Sequence, residues 1–291
     1  MSRRARILKG CAALALCLVW APQASAQAAD FGWDPRWPKF SPGEYVLTGV
    51  TGAAALVLYF GVHDAQTPRG TGGVLFDGYI REAWRLRAPA DRDVARTISD
   101  WTALSAMGWA IAVDSLTVPV ARGSAELSGQ MLLMDAEAFS VSTLITTILF
   151  KSFARARPSY VECESNHEFD PLCRLHATAS FPSGHTNTAF TAAGLSCAHH
   201  LHVPLYGSPA ADALACAGTL ALATATGTLR ILGDRHYLTD VLVGAMIGFG
   251  VGYGMPVLLH YGRAKDDAVA ANAMQPLGQV VPLGPMISGS F

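Results

Sequence analysis

The sequence predicts an all-α fold, a six-helix bundle embedded at least in part in a membrane. Six apolar stretches of helical length, near 44–62, 98–120, 130–150, 186–201, 211–229 and 240–260, are separated by polar loops. They are rich in Ala, Leu, Gly and Met and show none of the strict alternation that marks strands. Only 15% of the 291 residues are charged and 51% are hydrophobic, against roughly 25% charged in an ordinary soluble domain. Basic and acidic residues balance at 21 and 22. That balance leaves no polybasic footprint, so nucleic acid is excluded as a partner. Oligomeric state has no signature in the sequence.

Taken in order, residues 1–26 read as an export signal: Arg3, Arg4, Arg6 and Lys9 precede the apolar run Cys11 to Trp20, and Ala24-Ser25-Ala26 forms a small-residue cleavage site. The apolar run is short for an anchor helix, the alternative reading. Cleavage would remove four basic residues and no acidic one, shifting the net charge from −1 to −5, and it places the chain in the cell envelope, in the inner membrane, the periplasm or both. A Trp/Pro-rich lead, 27–43, precedes the helical domain, 44–262. The Ala/Pro/Gly-rich segment 263–291 is predicted to be a flexible tail. Asp114 in the second stretch and Asp135 and Glu137 in the third are costly in lipid, so one or more of these stretches is expected to pack as a core helix instead of spanning. Three spans before Lys151 would return the following loop to the cytoplasm. The Arg-rich loop 63–97 and the Lys/Arg-free loop 202–210 are orientation signals, but arginines recruited to chemistry confound such counts, and the side of the membrane stays open.

Gly244, Gly248 and Gly252 recur every four residues and predict a groove on the last helix that a neighbouring helix enters closely. Together with Gly250 and Gly254 they mimic a dinucleotide fingerprint, but no strand precedes them. Cys163 and Cys173 share one polar loop and, after export, are expected to form a disulfide; Cys197 and Cys216 lie in apolar stretches and read as buried thiols.

Three polar clusters interrupt the apolar chain at helix ends: Lys151 to Pro158, Phe181 to His185, and Arg230 to Asp240. Singly each has a structural explanation in dipole complementation, helix initiation or a helical surface pair. Together they describe an oxyanion site. Three fixed cations, Lys151, Arg157 and Arg230, belong near one another in an apolar bundle only if a multiply charged anion neutralises them. Ser183-Gly184 opens a helix, whose free N–H groups and dipole favour phosphate. The i, i+4 spacing of His236 and Asp240 predicts a shared helical face, with the carboxylate keeping one ring nitrogen protonated and the other free to attack phosphorus. His185 is then available to protonate the leaving group. No Asp/Glu cluster suggests a two-metal centre, so no metal or other cofactor is expected.

These clusters resemble, in order, the signature of the type 2 phosphatidic-acid phosphatase superfamily, which includes membrane lipid phosphatases, exported bacterial acid phosphatases and vanadium haloperoxidases. The resemblance runs from Lys151 to Asp240. It implies that Lys151, Arg157, Ser183, Gly184 and Arg230 bind phosphate, that His236 is the nucleophile, His185 the acid and Asp240 the residue orienting His236. It further implies a metal-independent phosphatase acting on a phosphate ester or diphosphate, with the apolar bundle favouring a lipid, and vanadate as an inhibitor. A soluble periplasmic acid phosphatase is the nearest alternative, followed by a haloperoxidase with vanadate as cofactor and by a non-catalytic membrane protein.

Two positions depart from the pattern. Five residues instead of six separate Lys151 from Arg157; on an ideal helix that leaves the side chains about 120° apart, where the family spacing nearly restores one face. Arg157 precedes Pro158 and is pushed out of the α region, so a turn can re-aim it, while Arg155 is the rival ligand. Leu229 stands where the family has Ser, and Thr228 faces another direction. Elsewhere, His199, His200 and His202 lack matching ligand spacing and read as helix-end solvation. Glu162, Glu164, Glu168 and Asp170 read as a solvated flank of the site, and Asp234 with Arg235 as a local ion pair.

Overall fold

The computed structural model describes residues 31–173 and 177–263. The expected signal and almost all of the expected tail lie outside them. Eight α-helices occur among the described residues: α1 Pro42–Leu56, extended by a π-helical turn Val57–Gly61; α2 Asp77–Trp84; α3 Pro89–Ala121, with a π-helical stretch at Trp109–Thr117; α4 Ala125–Phe153; α5 Tyr160–Ser165; α6 Gly184–His202; α7 Pro209–Leu232; and α8 Leu238–Leu259. No strand occurs among the described residues; Gly70 and Arg155 form an isolated bridge.

Local chemistry explains the boundaries. Ser41 caps α1 in a capping box with Glu44, and Pro42 occupies the first turn, where its missing N–H costs nothing. α4 stops at Ala154, whose φ of 45° is left-handed and whose N–H returns to the Phe150 carbonyl. Ser183 caps α6.

α6 is the central helix, packed by α8, α7, α4 and α3. Gly244, Gly248 and Gly252 of α8 lie against its backbone. A Cβ on each would stand 2.6 Å from the Ser183 carbonyl oxygen, 2.3 Å from that of Asn187 and 2.2 Å from that of Thr191. Among the described residues five helices, α1, α3, α4, α7 and α8, are long and apolar enough to cross a membrane. Their outer faces carry large exposed side chains such as Phe60, Trp101, Leu214, Met246 and Leu258, as expected where lipid is the solvent.

The core helix is thus the fourth apolar stretch, not the second or third. Asp114, Asp135 and Glu137 are accommodated by facing inward, each at most 2% exposed. His199 and His200 are likewise buried, which corrects the solvation reading. His199 bridges Tyr261 and Asp135 at 2.7 and 3.0 Å. His200 lies 2.6 Å from Asp212 and 3.2 Å from Asp114. Polar groups of α3, α4, α6 and α7 meet one another where solvent was expected.

The four cysteines among the described residues form two disulfides, Cys163–Cys173 and Cys197–Cys216. The second corrects the buried-thiol reading: it joins α6 to α7, a juxtaposition that neither apolar stretch reveals alone.

Candidate active site

The three clusters converge on one cavity of about 360 Å³, lined by Lys151, Arg157, Gly184, His185, Arg230 and His236 together with Asp64, Arg96, Asp100 and Arg235. The helix break after Phe153 resolves the short spacing between Lys151 and Arg157. Left-handed Ala154 reverses the chain, Arg155 bridges to Gly70, and the Arg157 N–H donates to the Ala177 carbonyl at 2.9 Å. The two cations then reach the cavity from different directions. Lys151 Nζ donates to Asp64 at 2.6 Å and to the Val62 carbonyl. Arg230 pairs with Asp100.

Arg155 takes another course. Its guanidinium donates to Asp240 at 2.6 Å, to Asp77 at 2.8 Å, to Thr239 at 2.9 Å and to the Gly72 carbonyl at 3.1 Å, and it lies over the Tyr237 ring. It does not line the cavity. Ser183 also turns away: fully buried, its Oγ accepts from Thr186 Oγ1 at 2.9 Å and caps α6. Gly184 lines the cavity with open space where a Cβ would stand. Thr228 spends its hydroxyl on the Thr224 carbonyl and does not replace the hydroxyl missing at Leu229.

His236 does not share a helix with Asp240. α8 begins at Leu238 with Tyr237 as N-cap, and Asp240 accepts the Tyr237 N–H at 2.8 Å as a helix-capping carboxylate. His236 Nδ1 instead donates to the Ser180 carbonyl at 2.7 Å, while Asp240 Oδ2 stands 3.8 Å away and accepts from Ser180 Oγ at 2.6 Å. Orientation therefore passes through Ser180, and the expected direct bond is corrected. Because a carbonyl can only accept, the proton resides on Nδ1 and the lone pair on Nε2, which faces Arg157 Nη1 at 3.3 Å. Burial, reinforced by Arg157 and Arg230, holds His236 well below the ordinary imidazole range.

His185 stands at the mouth with Nε2 3.2 Å from Asp100 Oδ1. Desolvation by the cavity walls, then the potential of Arg230, His236 and Arg157, lowers its pKa. Burial, with Arg235 and Arg230 beside it, pulls the Arg157 guanidinium down. Burial with Arg96 and Arg230 brings Arg235 to about 10. Two arginines so destabilised as cations, with Lys151 and Arg230 on the same cavity wall, favour a bound anion whose charge would relieve them.

Several residues at the site escaped sequence reasoning. Arg235 is not paired with Asp234; that carboxylate takes Arg81 at 2.7 and 2.8 Å, and Arg235 enters the cavity wall. Asp170 is buried against Arg92 and Arg96, at 3.1 and 2.5 Å, not solvated. Asp64, Asp77, Arg96, Asp100 and Ser180 have no motif of their own; their roles come from contacts distant in sequence.

The model of the PAP2 superfamily matches residues 136–264. A lipid A 1-phosphatase of Porphyromonas gingivalis is 34% identical over 131 residues, 45% of this chain and 24% of that protein. The similar stretch thus spans about a quarter of that relative's length. No solved structure matches the chain. The matched segment contains all three clusters, and over residues 136–264 this chain is similar to the PAP2 superfamily.

Proposed function

We propose that the chain is an envelope-membrane phosphatase that hydrolyses lipid phosphates or diphosphates through a phosphohistidine, without a cofactor. The observation that carries this reading is the fixed tautomer of His236: its Nδ1 proton is committed to Ser180, and the Nε2 lone pair stands beside Arg157 in a cavity lined by cations. In the first step Nε2 attacks phosphorus, the N–P bond forms, and the P–O ester bond breaks. His185 donates a proton to the departing alkoxide. In the second step His185 takes a proton from water, whose oxygen attacks phosphorus and releases phosphate and neutral His236. Lys151, Arg157, Arg230 and Arg235 stabilise the charge on the transferring group. A bound phosphate would offset the cations that, after desolvation, lower the His185 pKa, and so would favour the protonated acid.

Two features support a lipid. The outer faces of the five long helices are apolar, and α1 is only 11% buried within the chain. A second cavity of about 330 Å³ adjoins the first, sharing Asp100, Phe150 and His185, and continues along Ala103, Leu104 and Met107 between α3, α4 and α6. An apolar leaving group fits there. The similarity to a lipid A 1-phosphatase agrees with this class.

The test is turnover by the full chain in detergent on lipid phosphates against soluble phosphate esters, with rapid-quench trapping of labelled enzyme. Faster hydrolysis of lipid phosphates with label on His236 is expected. Equal or greater activity on soluble esters would overturn the lipid assignment, and turnover without a phosphoenzyme would overturn the mechanism.

A further inference from the structure

A second polar cluster lies at the other end of α8. We propose that Glu44, Glu137 and His260 form a divalent-cation site of the zinc class that ties α1, α4 and α8 together. His260 follows a helix of roughly 33 Å whose opposite end carries Asp240, so this cluster is separate from the anion cavity.

Glu44 Oε1, Glu137 Oε1 and His260 Nε2 are all buried, and none makes a hydrogen bond. One ligand atom from each residue lies within 4.8 Å of the others. Glu137 and His260 are each 1% exposed, so water does not satisfy these atoms, and a buried polar atom without a partner is costly.

The remaining atoms of two of these residues are fixed from outside. His260 Nδ1 donates to the Pro38 carbonyl at 2.9 Å, which places the ring proton there and leaves a lone pair on Nε2. That lone pair stands 3.0 Å from Glu44 Oε1. Glu44 Oε2 is occupied by the Ser41 N–H at 2.7 Å, so Oε1 is the oxygen left facing inward. Two acceptors thus face each other with a third beside them, and something positive belongs between them. One proton on Nε2 would answer the Glu44 contact and leave Glu137 Oε1 without a partner. A divalent cation answers all three and balances two carboxylates.

One imidazole nitrogen and two carboxylate oxygens make a donor set suited to zinc, with a fourth position open. A backbone carbonyl that orients the imidazole and an amide that holds the carboxylate are the outer contacts such sites use. Phe40 stacks on the His260 ring, with centroids 6.1 Å apart and planes 12° apart, and Trp33 meets its edge, so the cluster is roofed by the lead segment.

The test uses untagged full chain in detergent, stripped with EDTA, dialysed and titrated with zinc sulfate. Wild type is expected to bind one zinc per chain and to unfold at higher temperature with zinc present. Glu137→Gln and His260→Gln are each expected to weaken zinc binding by roughly tenfold or more and to lose the thermal shift. Should either variant fail to fold, cobalt added to stripped wild type is expected to give visible d–d absorption that zinc abolishes. Stoichiometry below a tenth, variants that keep wild-type affinity, or no cobalt absorption would overturn the site. A cluster held by a proton gives the first and third of these results.

Discussion

Replacing Arg155 with Ala separates a structural arginine from an anion ligand. Arg155 donates to Asp240 and Asp77 at 2.6 and 2.8 Å, and both carboxylate side chains are 0% exposed. Removing one partner of a buried ion pair costs about 3–5 kcal/mol because the remaining charge is stranded. Asp240 retains the Ser180 hydroxyl and the Tyr237 N–H, and Asp77 retains Thr239 and the Val74 N–H. The lower end, about 3 kcal/mol, is therefore expected, equivalent to a fall of roughly 10 °C in the unfolding midpoint. Arg157→Ala is expected to do the reverse, leaving the midpoint closer to wild type but weakening vanadate binding, since Arg157 lines the cavity and Arg155 does not. Tryptophan fluorescence melts and vanadate titrations of full-length protein in detergent measure both quantities. If Arg155→Ala melts within about 2 °C of wild type and loses as much vanadate affinity as Arg157→Ala, Arg155 is the ligand and the reasoning fails.

His236→Ala is expected to abolish both turnover and the trapped phosphoenzyme. His185→Ala is expected to lose about 10²–10⁴-fold on alkyl phosphates and much less on aryl phosphates, whose leaving groups need little protonation; equal losses on both would reject His185 as the acid. Vanadate, a mimic of the five-coordinate transition state, is expected to inhibit more tightly than phosphate; equal inhibition would argue against in-line attack, and enzyme-like bromide oxidation by the vanadate complex would favour the haloperoxidase alternative. His236 is held neutral below the unfolded value of 6.5, so its contribution to stability is complete above that pH and is lost as the pH falls through 6.5. Melts from pH 8 to 5 are expected to fall more steeply for wild type than for His236→Gln, and saturating phosphate is expected to flatten the difference; parallel curves would show that His236 is not buried neutral. Non-reducing mass mapping is expected to find Cys163–Cys173, whose span of 10 residues is worth on the order of 2–3 kcal/mol in chain entropy.

The helices were legible because burial repeats along the chain. The apolar stretch read at 186–201 is α6, Gly184–His202, and that at 240–260 is α8, Leu238–Leu259. The glycine spacing likewise announced a close helix contact on α8, whose partner the structure shows to be α6. The cationic clusters were legible because charges in so apolar a chain demand a reason. Illegible were the contacts made at a distance. Asp77 and Arg155 meet across 78 positions and Asp100 and Arg230 across 130, and no local pattern records either meeting. The His236–Asp240 spacing misled because i, i+4 implies a shared face only inside a helix, and the helix starts two residues after His236. Buried histidines were missed for a related reason: a residue near a helix end is solvated only if nothing packs over that end.

The glycine seam determines which parts of the molecule have freedom to move. His185 rides on the first turn of α6, and His236 is anchored just before α8, the two helices whose backbones touch at Gly244, Gly248 and Gly252. Neither helix slides past the other without driving main chain into main chain, so the seam fixes the spacing of the two histidines. On the proposed reading, substrate would enter past α1 and α3, which carry Tyr59 and Asp100 in the cavity lining and expose apolar side chains such as Phe60 and Trp101 on their outer sides. A methyl group added at Gly248 would never touch a ligand. It would nevertheless act on the reaction, because prising the two helices apart by about 1 Å is enough to cost an enzyme on the order of 10²-fold.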